Sequence, residues 1–271
     1  KKIIISKNKY NKYIRSNIRI KMAGHSKFKN IQFRKGAQDA KRAKLFSKMA
    51  REITVAAKTG LPEAEKNPRL RNAIINARAE NMPKDRIEKA IQKAIGGNDD
   101  AVYEEIRYEG YGPDSIAVII DVLTDNRNRT ASEIRSAFSK NGGALGETGS
   151  LSFVFTRKGV IKFNTEKCDE NTFFELAAES GAEDINSDIT EHTAICMSED
   201  FGNVRDSLTK KISDPISAKL EWVPQTLQSI NEEQAEKILK FIDILEDNDD
   251  VQTVYTNLDI TEEVMEKINN N

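Results

Sequence analysis

Between Gly159 and Val223 the sequence reads strand, helix, strand, strand, helix, strand, and this order constrains the fold more than any other feature of the chain. Strands are predicted over Gly159–Asn164, Ala182–Asp188, His192–Met197 and Ala218–Val223, and helices over Asn171–Ser180 and Phe201–Ile212. The order βαββαβ is that of a ferredoxin-like unit. It leaves a remainder. After Pro224 there is only one predicted helix, about Glu232–Glu246, and one strand, Val251–Thr256. These cannot form a domain by themselves. Upstream lie strands Val102–Glu109 and Ser115–Leu123, joined through Gly110-Tyr111-Gly112-Pro113 as a hairpin. A helix follows, opened by a capping box at Thr130–Glu133, with Ala131, Ile134 and Phe138 as its apolar line, then a strand at Leu151–Thr156. That ββαβ set and the remainder complete one α/β sandwich. The prediction is therefore a discontinuous middle domain, 98–157 plus 224–257, with the ferredoxin-like domain, 158–223, inserted into it. Residues 258–271 form a C-terminal tail.

The N-terminal part is of another kind. From Phe46 the apolar residues Phe46, Met49, Ala50, Ile53 and Ala57 recur at helical spacing, while Lys41, Lys44, Lys48 and Arg51 fall on the opposite side at ~100° per residue. Asn67-Pro68 opens a second helix with Leu70, Ala73, Ile74 and Ala77 buried. A third helix follows Asn81-Met82-Pro83, with Ile87, Ala90, Ile91, Ala94 and Ile95 as its stripe and Gly96-Gly97 as its stop. This gives a three-helix domain over 22–97, and an α+β chain of three domains in all. The turn at Met82-Pro83 is short for a helix-turn-helix, so contact with a nucleic-acid backbone is better supported than base reading.

Charge follows the same division. Residues 1–97 hold 26 Lys and Arg against 7 Asp and Glu, whereas residues 98–271 hold 16 against 36, although the whole chain is balanced at −1. Segregated charge of this kind points to an anionic partner such as nucleic acid. The first 21 residues hold 8 basic and no acidic side chains. We expect them to lie outside the fold, as an upstream leader from over-long gene assignment or as a targeting presequence, with Met22 as the functional start.

The stretch MAGHSKFKNIQFRKGAQDAKRAKLFSKMAREI from Met22 resembles the opening of the YebC/PmpR family, which includes bacterial proteins called transcriptional regulators and a mitochondrial translational activator of cytochrome oxidase. Further matches are NPRLRNAI from Asn67, NMPKDRIEKAI from Asn81, YEGYGP from Tyr108, LTDNRNRT from Leu123, SKNGGALGETGSLSFVF from Ser139 and VQTVYTN from Val251. The likeness covers nearly everything after Met22, and it implies the same three-domain layout. Phe28 and Phe33 stand where the family usually has Trp and His.

Little in the chain suggests catalysis. The two histidines, His25 and His192, and the two cysteines, Cys168 and Cys196, form no metal-spaced set or nucleophile motif. His192 is expected at a strand edge. The glycine loop Gly142–Ser150 lacks GK[ST] and runs from helix to strand, so it reads as a tight turn needing positive φ. The run Glu246–Asp250 reads as a solvated turn. No apolar run approaches the length of a membrane span. The expected protein is non-enzymatic and cytoplasmic, with no cofactor, metal, membrane or small-molecule substrate. Its candidate nucleic-acid-binding residues are His25, Lys27, Lys29, Arg34, Lys35, Lys41, Arg42, Lys44, Lys48 and Arg51, joined by Arg127 and Arg129. For the last two, helix capping and loop solvation are an equal alternative. Double-stranded DNA in a transcriptional regulator is the first reading, implied by the resemblance and permitted by the charge. Ribosomal RNA in a translation factor is the second. The acidic half is a candidate surface for docking a protein partner.

Overall fold

The computed structural model describes residues 38–96 and 101–261, with 264, 267 and 268, and side chains from residue 41 onward. Helix α1 spans Gln38–Thr59, α2 Pro68–Ala79 and α3 Lys84–Ile95. Their shared core is built from the apolar positions at helical spacing. Phe46, Ile53, Ala57, Leu70, Ala73, Ile74, Ala77, Ile87 and Ala90 are all buried, and Met82 joins them from the α2–α3 turn. Asn67 caps α2 by accepting from the Leu70 N–H at 3.0 Å. Its amide also donates to Ala56 O and Leu61 O at 2.8 Å, which ties the α1–α2 loop to both helices. The third stripe runs out early, because Ile95 is 55% exposed at the end of α3.

The middle domain is a four-stranded sheet of order β3-β1-β2-β9, with β1 Glu104–Tyr111, β2 Ala117–Thr124, β3 Ala144–Leu145 and β9 Val251–Thr256. β2 lies between β1 and β9, antiparallel to both, so a strand late in the chain closes a sheet begun about 150 residues earlier. One face is covered by α4 (Arg127–Lys140) and α7 (Glu232–Glu246), where Phe138 and Phe241 meet edge to face at 4.9 Å. The short parallel pair β8 (Gln228–Ser229) and β10 (Leu258–Asp259) lies beyond it.

The inserted domain comprises β4 Phe155–Asn164, α5 Glu170–Ser180, β5 Asp184–Ser187, β6 Glu191–Met197, α6 Phe201–Lys211 and β7 Ser217–Pro224. Its sheet order is β5-β6-β4-β7, antiparallel throughout, which is the ferredoxin-like arrangement.

Several expectations are corrected. The predicted strand Leu151–Thr156 is a series of turns up to Val154, and Phe155 instead begins β4. Leu151 and Phe155 are buried against Ile119, but Phe153 is 70% exposed, so the apparent alternation there is not that of a strand. The third partner in the middle sheet is the two-residue β3. Helix α4 begins at Arg127 with Asn126 as its cap, accepting from the Arg129 N–H at 3.0 Å. Thr130, the residue expected to cap it, is buried inside the first turns. The β1–β2 turn carries a 3-10 turn at Pro113–Ser115, with Asp114 and Ser115 at positive φ. In the glycine loop, Gly142 and Gly149 have φ of +75° and +92°, a region that disfavours any side chain. His192 is not at a strand edge. It lies on β6, an interior strand, buried and stacked on Phe173 at 4.7 Å, with its ring nitrogens 2.7 Å from Ser187 Oγ and 2.9 Å from Cys168 O.

Candidate nucleic-acid interface

Helix α1 has two faces of opposite character. Turning Phe46 and Ile53 into the helical core aims Lys41, Lys44, Lys48 and Arg51 away from it. That cationic row does not face open solvent. It faces the C-terminal end of α7 and the loop after it. Lys41 Nζ lies 3.3 Å from Asp243 Oδ1. Lys44 Nζ pairs with the Asp247 carboxylate and donates to its carbonyl oxygen at 3.0 Å. Lys48 Nζ donates to Glu246 O at 2.5 Å. Arg51 Nη1 is 3.0 Å from each of Leu123 O, Asp249 O and Asp250 Oδ1.

The run Glu246–Asp250 is therefore more than a solvated turn: Asp247 and Asp249 are exposed, but the run also receives α1 and its last residue is buried. Three forces shape it. Helix α7 ends with carbonyls that lack intrahelical partners and attract cations. Asp247 and Asp249 add carboxylate charge. Asp250 is anchored inside the fold, only 4% exposed, receiving Arg129 Nη2 at 2.7 Å, Thr130 Oγ1 at 2.7 Å and Thr124 Oγ1 at 3.0 Å on one oxygen and Arg51 on the other. Burial pulls the Asp250 carboxyl upward, but the bonds from Arg129, Thr130 and Thr124 outweigh it and hold it below the usual carboxylate range. Burial pushes the Lys48 ammonium down to about 8, against the pull of Glu246 and Asp249.

A cleft of about 680 Å³ opens between these elements. Lys44 and Arg51 form one wall, Glu133, Ile134 and Ala137 of α4 another, and Leu245 with Asp247 to Asp250 a third. The remaining contacts of the helical domain are also polar. Arg69 grips Glu52 at 2.8 and 3.0 Å and reaches Glu105 of β1 at 2.5 Å. Asn76 exchanges two 3.3 Å bonds with the Ala218 backbone, and Arg205 of α6 donates to Asn72 at 2.5 Å. The apolar cluster of the helical domain draws no residue from the other two domains.

The candidate residues thus divide. His25, Lys27, Lys29, Arg34 and Lys35 lie outside the described residues. Lys41, Lys44, Lys48 and Arg51 come together on one face, engaged by α7 and its loop. Arg42 is exposed, its guanidinium 5.5 Å from the Phe46 ring, with Arg86 over the same ring at 5.6 Å. Arg127 is exposed at the first turn of α4, while Arg129 is tied to Asp125 at 3.0 Å and to Asp250. Arg129 therefore has a structural role in the loop that receives α1. The acids opposite α1, Asp243, Asp247 and Asp250, were missed as partners of Lys41, Lys44 and Arg51, and their spacing of four and three differs from the three and seven of those cations.

Among the described residues, no group of three or more His, Cys, Asp or Glu could hold a metal, and no helix is long and apolar enough to cross a membrane. Burial pushes the Cys196 thiol up to about 11, which keeps it protonated and unreactive at neutral pH.

The family model for the N-terminal domain of TACO1/YebC proteins matches residues 26–97, and that for their second and third domains, named Transcrip_reg, matches 103–258. Among solved structures, a conserved hypothetical protein from Aquifex aeolicus is similar, with 43% identity over 87% of this chain and 97% of that one, at a TM-score of 0.75. Together the two matches cover most of the sequence, and the chain belongs to the TACO1/YebC family.

Proposed function

We infer that the protein is a non-enzymatic regulator that binds duplex DNA through the helical domain, by phosphate contact and without base reading. The name Transcrip_reg supports the regulatory part of this reading. The observation that carries the binding part is the row Lys41, Lys44, Lys48 and Arg51, which already holds a line of carboxylate and carbonyl oxygens. At 1.5 Å rise per residue the row spans about 15 Å, and one DNA strand offers a phosphate every ~3.4 Å of axis. A face that orders a line of acidic oxygens has the spacing to meet phosphates. Arg42 and Arg127 are further exposed cations, and in the sequence the basic segment 22–37 directly precedes α1.

The test is binding across a salt series. Lys41→Ala, Lys44→Ala, Lys48→Ala and Arg51→Ala combined should lower affinity alike on every duplex sequence. The combined change should also flatten the plot of log K against log salt by about 3–4 units, at roughly 0.9 per phosphate contact. An unchanged slope would remove the row from the interface.

Ribosomal RNA is the second reading, since its phosphates attract the same cations as those of DNA. The α2–α3 turn is longer than its sequence suggests: four residues, Glu80–Pro83, separate α2 from α3, within the range of a helix-turn-helix, so its length does not speak against base reading. Sedimentation of lysate with and without ribonuclease separates the two. Ribonuclease-sensitive migration with ribosomes would favour RNA.

A further inference from the structure

The seam between α1 and α7 has an unusual composition for a domain contact. Lys41, Lys44, Lys48 and Arg51 are each met by an oxygen of α7 or its loop, no apolar cluster bridges the gap, and a cleft of about 680 Å³ lies beside Lys44 and Arg51. A stable docking surface between domains is usually dry and apolar at its centre, and one held by polar contacts permits domain motion. Two of the pairs are also well exposed. The Asp243 and Asp247 side chains are 45% and 70% accessible, so water and salt compete for them.

We propose that the acidic segment Asp243–Asp250 is a built-in competitor of the polyanion, masking the α1 row until a nucleic acid displaces it. This rests on the phosphate-contact reading above and adds its regulation. The segment supplies what a phosphate strand would supply, anionic oxygens in register with Lys41, Lys44 and Arg51 along one helix face. It differs in strength. Its exposed pairs are individually weak, whereas a nucleic acid gains additional affinity from the counterions it sheds. Closed, the helical domain is held on the middle domain with its cations neutralised. Open, the same cations are free for phosphates, and the uncovered carboxylates collect cations from solution. Weak polyanions and isolated phosphates are thereby excluded, and only a ligand meeting several cations at once opens the seam.

The decisive variant is Asp243→Asn with Asp247→Asn in the full chain. It removes two masking charges and leaves the buried face of α7, Ala235, Ile238, Leu239, Phe241, Ile242 and Leu245, untouched. The control, Glu147→Gln with Glu170→Gln, makes the same net-charge change at exposed positions that pair with no α1 cation among the described residues. Binding is measured on a short duplex and on a single-stranded RNA of arbitrary sequence, over a salt series. The masking variant should bind about 3–10-fold tighter at low salt, with a slope steeper by about one unit, because fewer cations are taken up on opening. The control should change affinity less than about two-fold and leave the slope alone. An equal gain in the control would reduce the effect to net charge and overturn the mask. No gain, while loss of the four α1 cations still abolishes binding, would overturn the mask and leave the phosphate-contact reading standing. If loss of the four cations also changes nothing, that reading fails and the mask falls with it.

Discussion

The interior of the helical domain and its border with the rest of the molecule are built from different physics. Inside, Ile53, Leu70 and Ala77 are fully buried in one apolar cluster. At the border, Lys41, Lys44, Lys48, Arg51, Arg69 and Asn76 meet oxygens of the other two domains. Burial is worth roughly 25 cal/mol per Å² and is not weakened by electrostatic screening, whereas half-exposed ion pairs contribute about 0–1 kcal/mol each and are screened. The first kind of contact makes a domain. The second sets how the domain is placed and lets that placement respond to a charged ligand.

The comparison breaks most visibly in the core. Leu70→Ala should cost about 2–5 kcal/mol by removing fully buried side-chain volume. Because the helical cluster is separate, a denaturant melt should lose the helical transition and keep that of the β-sheet domains. A single shifted transition for the whole chain would show the cores to be coupled.

Asp250→Asn comes next, at about 1.5–3 kcal/mol, since it weakens charge-assisted bonds from Arg129 and Arg51 at a buried site. Its native carboxyl titrates below the ordinary value, so its contribution is complete above the ordinary carboxylate range and is lost as pH falls through the lowered native value. The stability gap between wild type and variant should therefore be largest near neutral pH and shrink below roughly pH 4. A gap that stays constant in acid would mean that the charge is irrelevant and only shape matters.

The smallest stability effect belongs to the seam. Lys44→Ala should alter unfolding by no more than about 0.5 kcal/mol despite two contacts to Asp247, because both partners are substantially exposed. A loss above about 2 kcal/mol would make the seam a structural interface.

Much of this was legible in the sequence, for identifiable reasons. The four buried residues of α2 follow from periodicity, and its start follows from Asn67-Pro68. The βαββαβ order forced the leftover helix and strand back onto the first hairpin, where β9 does pair with β2. What could not be read depends on long-range encounters. The Leu151–Phe155 stretch alternates like a strand, but it follows Gly149 at positive φ and continues in turns up to Val154, and only the folded chain shows that Leu151 packs on Ile119. Thr130 looked like a cap because Ser, Thr and Glu spacing is local information. Its true role, donating to Asp250 120 residues away, is not. The same holds for α1. Its amphipathic pattern identifies a face opposite the core but cannot say what that face meets, and an acidic run of low complexity reads as solvated until its partner is located.

The central claim is that the helical domain is held to the rest by charge and not by packing. The direct measurement is a pulsed electron-paramagnetic-resonance distance between labels at Ser47→Cys on α1 and Lys237→Cys on α7, with Cys168→Ser to remove the half-buried thiol. The distance should be single and short at low salt. It should gain a longer population as ionic strength approaches about 1 M, where the screening length falls to roughly 3 Å, and again when duplex DNA is added at low salt. A distance unmoved by either salt or nucleic acid, with the fold intact, would contradict the account.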